Sequence, residues 1–259
     1  MNKRFTDGSA GDANYGAIGP GYAQFRQPDP RIAAVIHAAL GDAKTVLNVG
    51  AGAGSYEPTD RDVTAVEPSA AMRAQRPAHL PRAVDAVAQA LPFADKSFDA
   101  AMTTFSVHQW PDLAAGLREM RRVTRGPMAI ISGDPDALDR FWLARYAPEV
   151  IATEARRYPP VAAFRAALDG DIAITHVPIP LDCCDGFNEA YYGRPEMLLD
   201  PRARRACSAW SFVDADAIGR FERTLKRDLD DGSWDETYGA LRTLPTFQGS
   251  LLLIVSRPG

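Results

Sequence analysis

Four short apolar segments recur in the first half of the chain and constrain its fold more than any other feature. They are TVLNV (45–49), VTAVE (63–67), FDAAMTTF (98–105) and MAIISGD (128–134), and a helix-like segment (112–125) lies between the last two. Such runs are typical of strands buried on both faces, and strands that alternate with helices form a parallel sheet. We therefore predict an α/β protein with a doubly wound, mostly parallel sheet and helices on both faces.

The second half of the chain continues this pattern less regularly. Residues 171–179 and 249–258 are predicted strands, and the last one would complete the sheet. The segment 181–212 has no clear period, and residues 1–30, rich in Gly, Pro and polar side chains, indicate an N-terminal arm. Since no long linker separates two units and 46% of the residues are hydrophobic, we predict one domain over residues 1–259.

A glycine-rich turn follows the first predicted strand. In VLNVGAGAG (46–54), Gly50, Gly52 and Gly54 form a G-x-G-x-G series. This series lacks the third glycine of a dinucleotide turn and the Lys-Ser/Thr of a phosphate loop, which favours a ligand without a pyrophosphate; an ordinary tight turn is the alternative. Glu67 ends the second strand, where a carboxylate can accept hydrogen bonds from the hydroxyls of a ribose.

Several segments together resemble a known family. VLNVGAGAGSYEP, VTAVEPSAAM, AQALPFADKSFDAAMTTFSVHQW and EMRRVTRGP are similar, in this order, to the successive motifs of class I S-adenosylmethionine-dependent methyltransferases, in particular the small-molecule type 11 subgroup. The similarity runs from about residue 46 to residue 127. It implies a seven-stranded Rossmann-like sheet, an N-terminal lid, S-adenosylmethionine as cofactor, and methyl transfer to a small organic acceptor by in-line displacement.

The resemblance also implies which residues bind the cofactor. In that family the glycine turn borders the methionine part, the acidic residue holds the ribose, and the segment before LPF frames the adenine. Carried over to this chain, the cofactor-binding residues are Tyr22, Arg26, Asn48, Gly50, Ala51, Gly52, Glu67, Pro68, Ser69, Met72, Val87, Ala88 and Phe105.

Three departures from the family pattern leave other functions open. Asn48 stands where an acidic residue is common, and Val87 stands where an aspartate often reads the adenine amino group. Only eight residues separate Gly54 from Val63, so a shortened helix is expected there. A non-catalytic protein that binds the cofactor is one alternative, and an NAD-dependent oxidoreductase, disfavoured by the missing third glycine, is another.

His108 is the candidate catalytic residue. It follows the third predicted strand, at the edge where open α/β sheets bind ligands, and a histidine there can act as a general base or as a structural cap. The resemblance implies that the second half of the chain determines acceptor specificity. We therefore expect an acceptor pocket between His108, Trp110 and the segment 181–212.

The N-terminal arm carries aromatic and basic residues that suit a lid. Tyr22 and Arg26 are four positions apart and share one face of a helix. Under the resemblance, Arg26 would pair with the carboxylate of the methionine part, while Tyr15 or Tyr22 would face the methyl-bearing sulfur, whose positive charge suits an aromatic ring. Surface positions for these side chains are the alternative.

Composition narrows the choice of partners. The net charge of −4 argues against nucleic acid, and no run of eighteen apolar residues indicates a membrane span, so a cytoplasmic monomer or homodimer is expected. Cys183, Cys184 and Cys207 match no zinc spacing, and no metal is predicted. A soft-metalloid site like that of arsenic methyltransferases is a weaker alternative.

Overall fold

The computed structural model describes residues 22–259. Within this range a central sheet has six strands in the order β2-β1-β3-β4-β8-β5, and β6 pairs with β7 in a separate antiparallel ladder. The strands are β1 (Thr45–Val49), β2 (Asp62–Val66), β3 (Ala100–Thr104), β4 (Met128–Gly133), β5 (Asp171–His176), β6 (Ile179–Pro180), β7 (Thr246–Phe247) and β8 (Leu251–Arg257).

The sheet confirms the predicted architecture. Strands β2, β1, β3 and β4 are parallel, and Val46 lies beside Val63 on one side and Ala100 on the other. Strand β8 is antiparallel to both of its neighbours. The chain moves outward from β1 to β2 and then crosses to β3 on the opposite side, so the order reverses between β1 and β3. In open α/β sheets, ligands bind at the carboxyl ends of the strands at such a reversal.

Three details of the expected fold are wrong. The described sheet has six strands, not the seven that the resemblance implied. Strand β5 ends at His176 rather than at 179, because Pro178 has no N–H to continue the ladder and the chain leaves the sheet. The shortened helix expected between Gly54 and Val63 is absent, and turns occupy residues 52–56 in its place.

Helices and short helical turns cover the sheet. Aspartate side chains cap the principal helices, as where Asp112 accepts a hydrogen bond from the amide of Ala115. The α-helices are α1 (Tyr22–Phe25), α2 (Pro30–Ala39), α3 (Ala70–Arg73), α4 (Leu113–Val123), α5 (Leu143–Tyr146), α6 (Pro148–Arg157), α7 (Val161–Ala167), α8 (Pro201–Arg205), α9 (Ala215–Asp230) and α10 (Ser233–Tyr238). No helix in residues 22–259 combines the length and apolar content needed to cross a bilayer.

The core lies on both faces of the sheet. Val46 and Met102 belong to a cluster that includes Ile36 of α2, whereas Leu47 belongs to a second cluster with Leu117 of α4. Neighbouring residues of one strand thus point into different clusters, as the pleat of a strand requires. This double coverage explains why the strands are continuously apolar, and it leaves the carboxyl edge of the sheet for polar and ligand-facing groups.

Candidate active site

A cleft of about 870 Å³ opens at the carboxyl ends of β1, β2 and β3. It lies at the reversal of strand order, where the architecture predicts a ligand. Eleven residues singled out from the sequence line it: Arg26, Gly50, Ala51, Gly52, Glu67, Pro68, Met72, Val87, Ala88, Phe105 and Trp110.

The glycine turn forms one wall of this cleft. Gly50 has a φ of 69°, and a Cβ atom there would overlap the Oγ of Ser106. Gly52 has a φ of 52°, and its Cβ would lie 3.3 Å from the Cε of Met72. Both positions therefore need glycine for the left-handed backbone, and Gly50 also needs it for space. The turn packs directly against the segment that follows β3.

Glu67 joins the glycine turn to the loop after β2. Its Oε2 accepts a hydrogen bond from the amide of Gly52 and its Oε1 accepts one from the amide of Ser69, each 2.8 Å long. Burial raises the pKa of this carboxyl, and the two amide hydrogen bonds act in the opposite direction. The carboxylate lines the cleft, where it can also accept hydrogen bonds from a ribose.

Apolar side chains line another part of the cleft. Met72 is buried, and Pro68, Val87 and Ala88 line the same space together with the amide side chain of Gln89. Flat apolar ligand groups, such as an adenine ring, suit walls of this kind. Valine at position 87 keeps this wall apolar, where the family often has a carboxylate.

Two residues predicted to bind the cofactor do not line the cleft. Ser69 caps α3 by accepting a hydrogen bond from the amide of Met72. Asn48 is buried and donates from Nδ2 to the Oε1 of Glu57 at 3.0 Å. Glu57 is in turn held by Arg76, with two hydrogen bonds of 2.8 and 2.9 Å. Both residues therefore support the wall of the cleft from behind.

The buried ion pair of Glu57 and Arg76 explains the unusual asparagine. Side-chain exposure is 0% for Glu57 and 4% for Arg76. An aspartate at position 48 would place a second carboxylate against Glu57, whereas the amide of Asn48 donates to it. Two carboxylates at such a distance cannot both remain ionised at low cost. The departure from the family pattern at Asn48 is thus matched by Glu57, nine residues later.

Asp185 forms a contact that the sequence did not reveal. It accepts a hydrogen bond from the Nε of Arg26 and another, 2.8 Å long, from the hydroxyl of Tyr56. The Arg26 guanidinium also lies 5.0 Å from the centroid of the Phe105 ring. All four residues line the cleft. Arg26 is therefore fixed by the segment that the sequence identified as the acceptor region.

The lid prediction is only partly covered by the described residues. Tyr15 and the side chain of Tyr22 lie outside them, so the predicted aromatic contact with the methyl-bearing sulfur stays a prediction. The backbone of residues 22–25 forms α1, and the amide of Gly186 donates to the carbonyl of Phe25 at 2.7 Å. This bond and the pairing of Arg26 with Asp185 attach the segment around α1 to the rim of the cleft.

The structure adds residues to the site that sequence patterns did not single out. Tyr56 and Phe105 have positive φ angles of 66° and 51° although neither is glycine. Bulky residues rarely adopt this conformation, and it costs about 1–3 kcal/mol, so it concentrates at functional sites. Phe105 was predicted from the resemblance. The residues that sequence reasoning missed are Ala53, Ser55, Tyr56, Gln89, Thr104, Ser106, Gln109, Pro111 and Asp185.

Some of these missed residues could have been predicted from the sequence, because they lie close to the ends of predicted strands. Thr104 ends β3 and Ser106 follows it, at the edge where ligands bind. The Oγ of Ser106 accepts a hydrogen bond from the indole N–H of Trp110 at 3.0 Å. Asp185 and Tyr56 are distant from each other in the chain, and only the folded structure brings them together.

A second cavity of about 500 Å³ adjoins the cleft. Arg26 and Phe105 line both spaces and form their common wall. Most of the side chains that line the second cavity are polar. Its other lining residues are His108, Glu154, Arg157, Tyr158, Phe187, Asn188, Ala206, Cys207 and Ser208.

His108 lines the second cavity, but its environment is wrong for a base. Burial and the positive charges of Arg157 and Arg26 lower the pKa of His108 to about 3. The imidazole is therefore neutral at physiological pH and accepts a proton poorly. Its ring packs edge-on against Tyr158, with centroids 5.2 Å apart. The structure thus disfavours the catalytic role suggested for His108 and places it in the cavity wall.

Trp110 and the three cysteines are the remaining residues that the sequence analysis considered for a site. Trp110 lines the cleft rather than the second cavity. The three cysteines are free thiols, of which Cys183 and Cys207 are buried and Cys184 is exposed. Across residues 22–259 no group of three or more His, Cys, Asp or Glu side chains has a metal-binding arrangement.

Comparisons with known proteins agree with this geometry. A family model described as a methyltransferase domain matches residues 47–127. A crystal structure of a methyltransferase assigned to an antibiotic biosynthesis pathway of Anabaena variabilis is 27% identical, with a TM-score of 0.83 over 90% of this chain and 99% of that chain. A methyltransferase structure from Thermotoga maritima, 13% identical with a TM-score of 0.52 over 92% of each chain, shares the fold.

A curated relative matches over a shorter range. The uncharacterized protein YafE of Escherichia coli is 45% identical over 38 residues, which is 15% of this chain and 18% of that protein. The match therefore spans less than a fifth of the relative.

The fold and the cleft together define a Rossmann-like methyltransferase. Residues 47–127 match the methyltransferase domain family, and this match supports a class I S-adenosylmethionine-dependent methyltransferase whose cofactor is S-adenosylmethionine. The cleft fits this cofactor, because the glycine turn, the Glu67 carboxylate and the apolar wall that includes Met72 border one continuous space.

Proposed function

We propose that this protein transfers a methyl group from S-adenosylmethionine to a small organic acceptor that binds in the second cavity. The observation that carries the proposal is the wall of Arg26 and Phe105 shared by the two spaces. In-line displacement requires the acceptor to approach the methyl group from the side opposite the sulfur, so donor and acceptor need adjoining sites. A larger acceptor, such as nucleic acid, would need an open surface instead.

Different residues of the cleft would hold different portions of the cofactor. Gly50, Ala51 and Gly52 would border the methionine portion, and Glu67 would hold the ribose. Pro68, Met72, Val87 and Ala88 would enclose the adenine, with Ser69 and Asn48 supporting from behind. Bound S-adenosylmethionine supplies a methyl group on a positively charged sulfur.

Arg26 is proposed to contact the carboxylate of the methionine portion while it stays anchored to Asp185. The two hydrogen bonds to Asp185 use Nε and one terminal nitrogen of the guanidinium. The guanidinium lines the cofactor cleft, and its planar fork of N–H donors suits a carboxylate. The guanidinium carbon lies 5.0 Å from the centroid of the Phe105 ring, and both side chains border the cleft and the second cavity.

The acceptor is proposed to be a small molecule of secondary metabolism. The relative from Anabaena variabilis is described as belonging to an antibiotic biosynthesis pathway, which supports this assignment. Phe105 and Phe187 provide ring contacts in the second cavity, with centroids 5.3 Å apart. A cytoplasmic monomer or homodimer suits this function.

Two measurements test the proposal. Isothermal titration calorimetry should detect one molecule of S-adenosylhomocysteine bound per chain and no binding of NADH. With methyl-labelled S-adenosylmethionine and a small-molecule extract, label should pass to a low-molecular-weight product. Binding without any transfer would favour the alternative of a non-catalytic cofactor-binding protein, and binding of NADH instead would favour an oxidoreductase.

A further inference from the structure

The second cavity contains one carboxyl group whose placement the proposed function does not use. Glu154 lies on α6 and lines this cavity as well as a smaller neighbouring space of about 270 Å³. Phe105, part of the wall shared with the cofactor cleft, lines all three spaces. Glu154 therefore faces the region where an acceptor would approach the methyl group.

A chain of hydrogen bonds orients this carboxyl. The indole N–H of Trp210 donates to the Oδ1 of Asn188 at 2.9 Å, and the Nδ2 of Asn188 donates to the Oε1 of Glu154 at 2.9 Å. An indole can only donate, which fixes the orientation of the Asn188 amide and leaves its NH₂ group toward Glu154. Trp210 and Asn188 are both buried, with exposures of 4% and 2%. Such an arrangement preorganises a carboxylate oxygen.

The other titratable groups of the cavity are poor proton acceptors. Burial raises the pKa of Tyr158 well above 10 and that of Cys207 to about 12, so both stay protonated. His108 stays neutral with a pKa of about 3. Burial and the charge of Glu189 raise the pKa of Glu154 to about 7, where a general base works best at neutral pH.

The charges around the cavity favour an acceptor that develops negative charge. Arg157 and Arg26 border the space, and their positive charges contribute to the low pKa of His108. The same two arginines favour the ionised form of Glu154, while Glu189 opposes it. A cationic ammonium group is disfavoured near two guanidinium groups, whereas a developing phenolate is stabilised.

We propose that Glu154 is the general base of the methyl transfer and that the acceptor is a small phenol. This inference rests on the proposed function. The acceptor O–H breaks and its proton goes to Glu154, while an oxygen electron pair forms the new bond to the methyl carbon. The carbon–sulfur bond breaks and its electron pair stays on the sulfur, which leaves as S-adenosylhomocysteine. Asn188 acts as a positioning residue through its hydrogen bond to Glu154.

Methyl transfer to matched probes tests the proposal. Phenol and catechol are compared with benzylamine and thiophenol, using methyl-labelled S-adenosylmethionine. We expect methylation of a phenol at a rate that rises with pH to a plateau above about 7.

Glu154→Gln should lower kcat by about 10²-fold or more with unchanged affinity for S-adenosylhomocysteine, and Glu154→Asp should restore part of the rate. Glu149→Gln, on the exposed face of the same helix, should match the wild type.

Asn188→Leu gives a readout that a structural role alone would not change. The Asn188 hydrogen bond favours the carboxylate form of Glu154, so its loss should raise the pH midpoint of the rate. If kcat of Asn188→Leu falls while the pH midpoint of its rate does not change, the positioning role is overturned.

Infrared spectroscopy provides a test without an acceptor. The protonated-carboxyl band present in wild type and absent in Glu154→Gln should disappear between pH about 5 and about 9. A band that disappears below pH about 5 would overturn the assignment of Glu154 as base.

The outcomes separate this inference from the proposed function. If S-adenosylhomocysteine binds but methyl passes only to the amine or the thiol, the inference fails and the proposed function stands. If methyl passes to none of the probes, the inference fails, and the assay with the small-molecule extract decides the proposed function. The inference is also overturned if the Glu154→Gln variant methylates a phenol with a kcat within tenfold of that of the wild type. If S-adenosylhomocysteine does not bind, the proposed function itself fails.

Discussion

At the scale of single residues, Asn48 shows how a position can depart from its family without losing the fold. The asparagine donates to Glu57, whose carboxylate is already paired with Arg76 inside the protein. A sequence pattern describes position 48 alone, whereas the residue that suits this position depends on the charges of Glu57 and Arg76 as well. This is why the consequence of Asn48 could not be judged from the motif.

Asn48→Asp, which restores the common family residue, should destabilise this protein. Two carboxylates would replace the donor and acceptor pair, at a cost of roughly 1–3 kcal/mol in the free energy of unfolding at neutral pH. Protonation of one carboxyl should remove most of this loss as the pH falls. Urea unfolding at two pH values measures both effects, and a variant as stable as the wild type at neutral pH would contradict the interpretation.

At the scale of elements, the segment around α1 is attached to the 181–212 region by a buried ion pair. Side-chain exposure is 11% for Arg26 and 2% for Asp185, in contrast to 50% and 80% for the nearby pair of Arg31 and Asp182. Removing one partner of a buried pair leaves an uncompensated charge, whereas exposed pairs contribute little.

Asp185→Asn should therefore lower the free energy of unfolding by roughly 2–4 kcal/mol and speed amide hydrogen exchange at the end of α1. Asp182→Asn is the matched control and should change stability by less than about 1 kcal/mol. Denaturant unfolding and hydrogen exchange by mass spectrometry provide the measurements. Equal effects of the two substitutions would show that the buried pair does not anchor this segment.

Elements with a strong local signal were predictable, and elements fixed by distant contacts were not. Strands β1 to β4 follow from apolar runs. Three of the predicted segments contain the observed strand, and the segment predicted for β2 covers all but one of its residues. The end of β5 depends on Pro178, which the apolar run concealed. The glycine turn and Glu67 were found because their roles are local, but Asp185 lines the cleft through a long-range contact with Tyr56.

At the scale of the whole molecule, the carboxyl edge of the sheet concentrates buried ionisable groups. Glu154 and Glu189 both have pKa values raised to about 7, chiefly by burial. A carboxyl whose pKa is higher in the folded state than in the unfolded chain contributes stability at low pH, and this stability is lost as the pH rises through the folded-state pKa. The site is therefore maintained at a cost to stability above neutral pH.

Comparison of the wild type with Glu154→Gln isolates this cost for one group. Because the pKa rises from the ordinary 4.5 to about 7, the wild type should lose at most about 3 kcal/mol relative to the variant over this pH range. Unfolding free energies measured from pH about 4 to about 8 give the difference. A difference that does not change with pH would contradict the raised pKa of Glu154.

We propose that the cleft between β1 and β3 binds S-adenosylmethionine through the glycine turn and Glu67. Calorimetric titration with S-adenosylhomocysteine tests it most directly, on the wild type, on Glu67→Ala and on the control Asp85→Ala, an exposed carboxylate after β2. We expect binding by the wild type and the control, and a loss of roughly 1.5–3 kcal/mol, or roughly 10- to 160-fold in Kd, for Glu67→Ala. A Glu67→Ala variant with the affinity of the wild type, or equal binding of NADH, would contradict the claim.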